Sequence, residues 1–398
     1  MAEKYDSCDM FSGKEPFSLY VHIPYCISKC PYCDFNSHVV PKIPEMEYTG
    51  ALLKEIEFHA RTEAWRGRSL KSVFFGGGTP STFSPAGIGK ILEKSDSLFS
   101  FAKDIEITLE ANPGTVDSAH FSGYRSSGVN RISIGAQSFQ SHVLEFLGRV
   151  HSADETRQAL RVVQQAGFEN FSMDLIYACP NQSLSDLRRD LDEALSFHPP
   201  HLSAYNLTIE EGTPFHMQHQ AGIIRSLPEE IEISMAELVE EALAKAGLER
   251  YEISNYARAG FHSRHNVNYW QGGDYLGIGA GAHSYKRIQN SGALGCRWQN
   301  EKIPGRYLER IGRQEGAVVE EEKIDAGRAA GEFMFLGLRM TRGISLAEFS
   351  RRFGKKPRDF YPQIGDWIKE GLMEEKAGWL RLTPRGLLVA NSIFVNFV

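Results

Sequence analysis

From residue 17 to about 207, short β-branched and aromatic runs alternate with longer stretches of helical periodicity, and no other feature limits the fold of this chain as much. Parallel strands need a crossover long enough to hold a helix, so the alternation reads as repeated βα units around a parallel sheet. Six strands are expected, near 17–23, 70–75, 104–109, 131–134, 170–176 and 201–207. Ser84 before Pro85 is an N-cap with a first-turn proline, and Gly167 and Gly247 follow helical runs as stops. Right-handed crossovers would curl the strands into a barrel or partial barrel and gather their C-terminal ends on one face, where chemistry belongs.

After the sixth strand the rhythm changes. A helix near 228–246, a short strand near 250–254 and a Gly-rich segment at 272–281 are expected to finish the barrel. Helices near 326–338, 345–353 and 357–370, then a hairpin of 372–375 and 379–382 and a last helix, form an order that resembles a winged helix. The expected organisation is a tail at 1–16, a barrel at 17–290, a connecting segment at 291–319 and a small helical domain at 320–398.

Lys and Arg number 44 against 50 Asp and Glu, a net charge of −6, so no overall basic field gathers nucleic acid or anionic membrane. The local cluster of Arg351, Arg352, Lys355, Lys356 and Arg358 reads as a solvated helix end packed against the barrel sooner than as a nucleic-acid surface. No run approaches the roughly 18 apolar residues of a membrane span. Residues 1–16 lack an apolar signal core, and a cytoplasmic location is expected.

Three of the six cysteines crowd into Cys26-Ile27-Ser28-Lys29-Cys30-Pro31-Tyr32-Cys33, directly after the first strand. In a large chain without an export signal such crowding points to metal or redox chemistry, not disulfides. Cys8, Cys179 and Cys296 are isolated and receive no role. Soft sulfur ligands this close suit zinc or an iron–sulfur cluster. Structural zinc takes four ligands, often as two pairs, and no second pair occurs, although His22 or His38 is available as a fourth. A cubane held by three cysteines instead leaves one iron open to a ligand.

Gly76-Gly77-Gly78-Thr79-Pro80 follows the second strand, where missing side chains let backbone approach a ligand closely, or simply make a turn. Glu110, Gln137 and Asp174 sit at later strand ends, and Arg149 offers a planar fork for a carboxylate. Each alone reads as an ordinary surface or capping residue, and their joint placement after consecutive strands is the informative feature.

The Cys-x3-Cys-x2-Cys spacing with Tyr32 before its last cysteine resembles the radical S-adenosylmethionine (SAM) superfamily, in which SAM chelates the open iron of a [4Fe-4S] cluster. Tyr20-Val21-His22-Ile23-Pro24 and Gly76-Gly77-Gly78-Thr79-Pro80 narrow the resemblance to the HemN/HemW branch, over nearly the whole chain from Leu19. That branch implies a partial (β/α)6 TIM-like barrel carrying a small C-terminal helical, winged-helix-like domain. It implies Cys26, Cys30 and Cys33 as cluster ligands and Tyr20, Tyr32, Gly77, Gly78, Thr79, Glu110, Gln137, Arg149 and Asp174 around SAM. Thr208 and His283 align more loosely, as backbone contacts.

Within the branch, the HemN oxidases decarboxylate coproporphyrinogen III without oxygen and carry an additional cysteine where this chain has Phe35, and they have a longer segment ahead of the cluster. His265-Asn266-Val267-Asn268-Tyr269-Trp270 instead resembles the His-Asn-x-x-Tyr-Trp motif of the HemW heme chaperones, making His265, Asn266, Tyr269 and Trp270 candidate heme contacts. An imidazole can ligate iron while aromatics cover the macrocycle, although a packed core histidine explains the same residues. Which histidine, if any, takes the iron is open, as is whether SAM is cleaved. The resemblance implies a transient heme acceptor such as a membrane cytochrome, and an electron donor. The rival readings are an oxygen-independent coproporphyrinogen III oxidase and a nucleic-acid modifying enzyme.

Overall fold

Strands Phe17–Ile23, Leu70–Gly77, Phe101–Ala111, Arg131–Gln137, Phe171–Tyr177 and His201–Asn206 lie side by side in chain order, each parallel to the next. The structure is a computed structural model and describes residues 15–290 and 293–397, so Cys8 and nearly all of the expected N-terminal tail lie outside the described residues. Every residue of Phe17–Ile23 is buried except Tyr20, which is half-buried. Burial on both faces accounts for the continuous apolar reading of such strands. Phe17, Leu19, Val73, Phe75, Leu109 and Ile134 anchor the main core between the sheet and its helices.

The parallel set gains a seventh member. Tyr275–Ile278, inside the Gly-rich segment, pairs in parallel with Phe17–Ile23. Glycines disguise it as a turn, but a Cβ on Gly277 would fall 2.0 Å from the His283 carbonyl oxygen, so glycine here admits a neighbouring backbone. Beyond it, His283–Asn290, Ala293–Asn300 and Val318–Ile324 continue the sheet antiparallel, with helix Pro304–Gly312 between the last two. The stretch 291–319 thus contributes a full strand and a helix. At the opposite edge, the strand expected near 250–254 is two short ones, Glu249–Arg250 and Asn255–Ala257. The Glu252 carboxylate accepts from the Ser254 N–H at 3.0 Å and bends the chain between them. Among the described residues the two ends of this twelve-stranded sheet do not pair, so the barrel is open.

The helices begin and end where local chemistry directs. The Ser84 side chain caps Pro85–Phe99 by accepting from the Gly87 N–H, and Gly167 and Gly247 take positive φ of 80° and 77° past their helices.

From Ala326 a separate core forms around Met334, Leu338, Phe349, Ile364, Leu380 and Phe394. Helices Ala326–Gly337 and Leu346–Phe353 precede the hairpin Met373–Lys376 and Trp379–Leu382, which Ile344–Ser345 joins as a third strand. The single helix expected at 357–370 is two, Pro357–Phe360 and Ile364–Lys369, because Pro362 lacks the N–H a continuous helix requires. The last helix is likewise in two pieces, Pro384–Leu388 and Ala390–Phe394. Much of the basic cluster is answered locally: Arg351 and Arg352 pair with Glu348, and Arg358 with Glu375. Among the described residues no helix is long and apolar enough to cross a membrane.

Candidate functional site

The cysteine loop is closed at its base. Tyr25–Cys26 runs parallel to His38–Val39, and the Cys33 N–H donates to the Cys30 carbonyl oxygen at 3.1 Å. Lys29 Nζ donates across the loop to the carbonyl oxygens of Phe35 and Ser37. Cys26 is buried while Cys30 and Cys33 are half-buried. Burial pushes the Cys33 thiol up, against the Phe35 N–H and Lys29, which favour its thiolate. Two donors reach the other sulfurs: the Thr79 hydroxyl lies 3.4 Å from Cys26 Sγ, and Arg149 Nη1 lies 3.3 Å from Cys30 Sγ.

The glycine run serves this loop directly. The Gly78 N–H donates to the Ile23 carbonyl oxygen and the Thr79 N–H to that of Tyr25. A Cβ on Gly78 would stand 2.6 Å from the Tyr25 carbonyl oxygen, and one on Gly77 would stand 2.5 Å from the His22 ring. The second strand can therefore end against the first only without side chains there. Arg149 also reaches the Tyr32 hydroxyl at 3.5 Å and the Gly135 carbonyl oxygen at 3.3 Å, which gathers the cysteine loop and the fourth strand around one guanidinium. Its Nε is buried without a partner among the described residues.

Glu110 and Asp174 form an acidic pair inside the mouth. Burial, then the neighbouring Asp174, push Glu110 up to about 8, against the Gly77 N–H and Arg131. Burial also raises Asp174, against hydroxyls of Ser203 and Ser133 and the charge of Arg131. Gln137 ends its strand with φ of 63°, a left-handed conformation that non-glycine residues adopt at a cost, often at functional sites. Tyr32, Thr79, Arg149 and Gln137 thus gather on the cysteine side, with Glu110 and Asp174 deeper. Thr208 is exposed, its hydroxyl 3.5 Å from the Asn206 carbonyl oxygen.

A cavity of about 1180 Å3 opens between the strand ends, the cysteine loop and the C-terminal unit. It exceeds the roughly 300–1000 Å3 of a pocket for one small ligand. Tyr20, Gly77, Glu110, Tyr269, Trp270 and His283 line it, as does Phe35, which is 60% exposed. His265 lies behind the cavity wall. It is 1% exposed, its Nδ1 lies 3.0 Å from the Ser72 hydroxyl and its Nε2 lies 2.9 Å from the Tyr269 hydroxyl. Both ring nitrogens are occupied, and neither His265 nor Asn266 is among the described residues lining the cavity. Burial, then Lys71 and Arg131, lower His265 to about 3, so its ring is neutral. Trp270 faces the cavity with the Arg339 guanidinium 4.5 Å from its ring, joining the two units.

Residues 20–194 match the radical SAM superfamily and residues 325–389 the HemN C-terminal domain. The heme chaperone HemW of Haemophilus influenzae is 38% identical over 387 residues, spanning 96% of this chain and 98% of that protein. The chain belongs to the HemW family of radical SAM proteins. The HemW proteins of Escherichia coli and Bacillus subtilis, at 36% and 34% identity, likewise span 96% of this chain, and 98% and 99% of their own length. Among solved structures, coproporphyrinogen III oxidase (HemN) of Escherichia coli, a radical SAM enzyme, matches with a TM-score of 0.81, covering 97% of this chain and 91% of that one. At 23% identity that likeness concerns the fold.

Radical SAM membership implies a [4Fe-4S] cluster and SAM, and the donor set of this HemW-family chain fits the cluster. Three thiols share one loop, and a hydroxyl and a guanidinium point at two of their sulfurs, an arrangement that favours thiolates. Three residues that hold the site escape sequence reasoning. Asn36 Nδ2 donates to the carbonyl oxygens of Ala280 and Lys302, tying the cysteine loop to the sheet. Gly148, with φ of 64°, lies under Pro31, 2.6 Å from where its Cβ would be. Arg131 is 2% exposed beside Glu110 and Asp174. Only Gly148, beside Arg149 in Leu-Gly-Arg, carried a local signal.

Proposed function

We propose that this chain is a heme chaperone: it takes heme into the cavity and passes it to an acceptor hemoprotein. The observation that carries this reading is the cavity itself, large enough for a macrocycle, walled by Tyr269, Trp270, Phe333 and Trp379 and edged by Lys29, Lys302 and Arg342. Aromatic faces suit the ring and cations suit two propionates. The exposed Phe35 adds apolar wall beside the cysteine loop, where HemN oxidases have a further cysteine.

In this reading Cys26, Cys30 and Cys33 hold the cluster, with Thr79 and Arg149 stabilising thiolates. Tyr20, Gly77, Gly78, Glu110, Gln137 and Asp174 surround SAM, and Tyr32 orders Arg149. Cluster and SAM together supply one-electron reductive chemistry when bound. Glu110 and Asp174 are positioned to receive a cationic ligand group, which would draw both back to carboxylates. An electron donor and an acceptor such as a membrane cytochrome complete the cycle.

The test is anaerobic. Protein reconstituted with iron and sulfide, then titrated with hemin, should show a saturable Soret change and transfer heme to an apo-hemoprotein. Conversion of coproporphyrinogen III to protoporphyrinogen with SAM and reductant would replace this reading with the oxidase. Absence of saturable heme uptake would remove the chaperone.

A further inference from the structure

Gln137 ends strand Arg131–Gln137 at a tight reversal. The Ser138 N–H returns to the Ala136 carbonyl oxygen at 2.8 Å and closes a three-residue turn on Gln137, whose φ of 63° makes this the rare, strained form of that turn. Such a conformation persists only where the surroundings impose it. The Gln137 side chain has no hydrogen-bonding partner among the described residues, so it does not hold the turn itself. Its amide nitrogen lies over Gly135, 2.9 Å from where a Cβ would stand, and Arg149 Nη2 is 3.6 Å from the same point.

Asp190 supplies the constraint. It belongs to helix Leu184–Ser196 and is 1% exposed. Its Oδ2 accepts from the Ser138 hydroxyl at 2.7 Å, and its Oδ1 accepts from the Phe139 N–H at 2.7 Å and from Gln140 Nε2 at 3.0 Å. The Ser138 hydroxyl in turn accepts from the Gln140 N–H at 3.0 Å. One carboxylate therefore holds all three residues that follow Gln137. Burial raises the Asp190 carboxyl, against those three donors, and no cation pairs with it among the described residues. A carboxylate buried without a cation is costly, and its hydrogen bonds to the turn are what offset that cost. We infer that Asp190 is a positioning residue for SAM: it fixes the turn that presents the Gln137 amide beside Arg149 and the cysteine loop, and it acts on the ligand through Gln137. The inference rests on the SAM reading above.

The experiment is a double-mutant cycle on anaerobically reconstituted protein, with SAM affinity read by equilibrium dialysis and by the change SAM produces in the EPR signal of the reduced cluster. Asp190→Ala should keep its cluster iron and bind SAM about tenfold more weakly by both readouts. In the Gln137→Ala background, Asp190→Ala should weaken SAM no further, which a general loss of structure would not reproduce. Asp190→Asn, which retains an oxygen for the Phe139 N–H, should recover most of the affinity. Ser138→Ala removes one of the three bonds and carries the same cycle if Asp190→Ala fails to fold. Wild-type SAM affinity in the variant, or an equal loss in both backgrounds, overturns the inference and leaves the SAM reading standing. Wild type that holds its cluster but takes up no SAM overturns both.

Discussion

Arg149 Nη1 stands 3.3 Å from Cys30 Sγ, 119 positions earlier in the chain, and the same nitrogen is 3.5 Å from the Tyr32 hydroxyl. A guanidinium this buried beside a sulfur stabilises the thiolate and resists loss of a cluster bound to it. Arg149→Gln removes the charge but keeps a donor. Hydrogen bonds to charged groups contribute about 1.5–3 kcal/mol. The variant should therefore lose cluster iron faster under chelator and show a lower cluster reduction potential, checked by iron release and redox titration.

Gly78→Ala should prevent assembly of the same loop. The added Cβ would meet the Tyr25 carbonyl oxygen at 2.6 Å and the Tyr25 nitrogen at 2.8 Å, backbone atoms adjoining Cys26 that cannot swing aside. Overpacking of this kind costs about 1–3 kcal/mol. A lower melting temperature with reduced iron after reconstitution is expected, whereas Gly305→Ala, with nothing within 4 Å of its Cβ, should alter neither.

Glu110 couples stability to pH. Its folded pKa of about 8 lies above its ordinary 4.5, so the stability it contributes is complete below about 4.5 and is lost as pH rises towards about 8. Glu110→Gln should remove that loss, and the melting-temperature difference should favour the variant increasingly across the interval. In wild type, SAM seated against the carboxyl should release a proton near neutral pH, read by calorimetry in two buffers of different ionisation enthalpy.

His265 acts in the opposite sense. Its folded pKa of about 3 lies below its ordinary 6.5, so its contribution is complete above about 6.5 and is lost as pH falls towards about 3. His265→Phe leaves the Ser72 and Tyr269 hydroxyls without this partner, at a cost of about 1–3 kcal/mol near neutral pH. Urea unfolding at pH 7 and at mildly acidic pH should show a destabilised variant with a flatter acid dependence.

Trp270 and Arg339 join the sheet to the helical unit through a guanidinium 4.5 Å from the indole ring. Such a contact contributes about 0.5–2 kcal/mol. Arg339→Gln should increase protease sensitivity near residue 325 and weaken heme binding without reducing cluster iron.

What could be read along the chain was whatever depends on near neighbours in sequence. The six strands from Phe17 to Asn206 show as apolar runs because burial on both faces demands them, and Ser84-Pro85 starts a helix through a bond to Gly87. Cys26, Cys30 and Cys33 share one loop by spacing alone. Tyr275–Ile278 stayed hidden because its glycines answer a backbone from another strand, not a local turn. The setting of His265 could not be read locally, since its ring is held by Ser72, 193 positions away. Periodicity, capping and ligand spacing are local properties that the order of residues encodes directly. Whether a side chain is buried, partnered or left facing a cavity is decided only when distant segments come into contact, because burial and hydrogen bonding belong to the assembled packing.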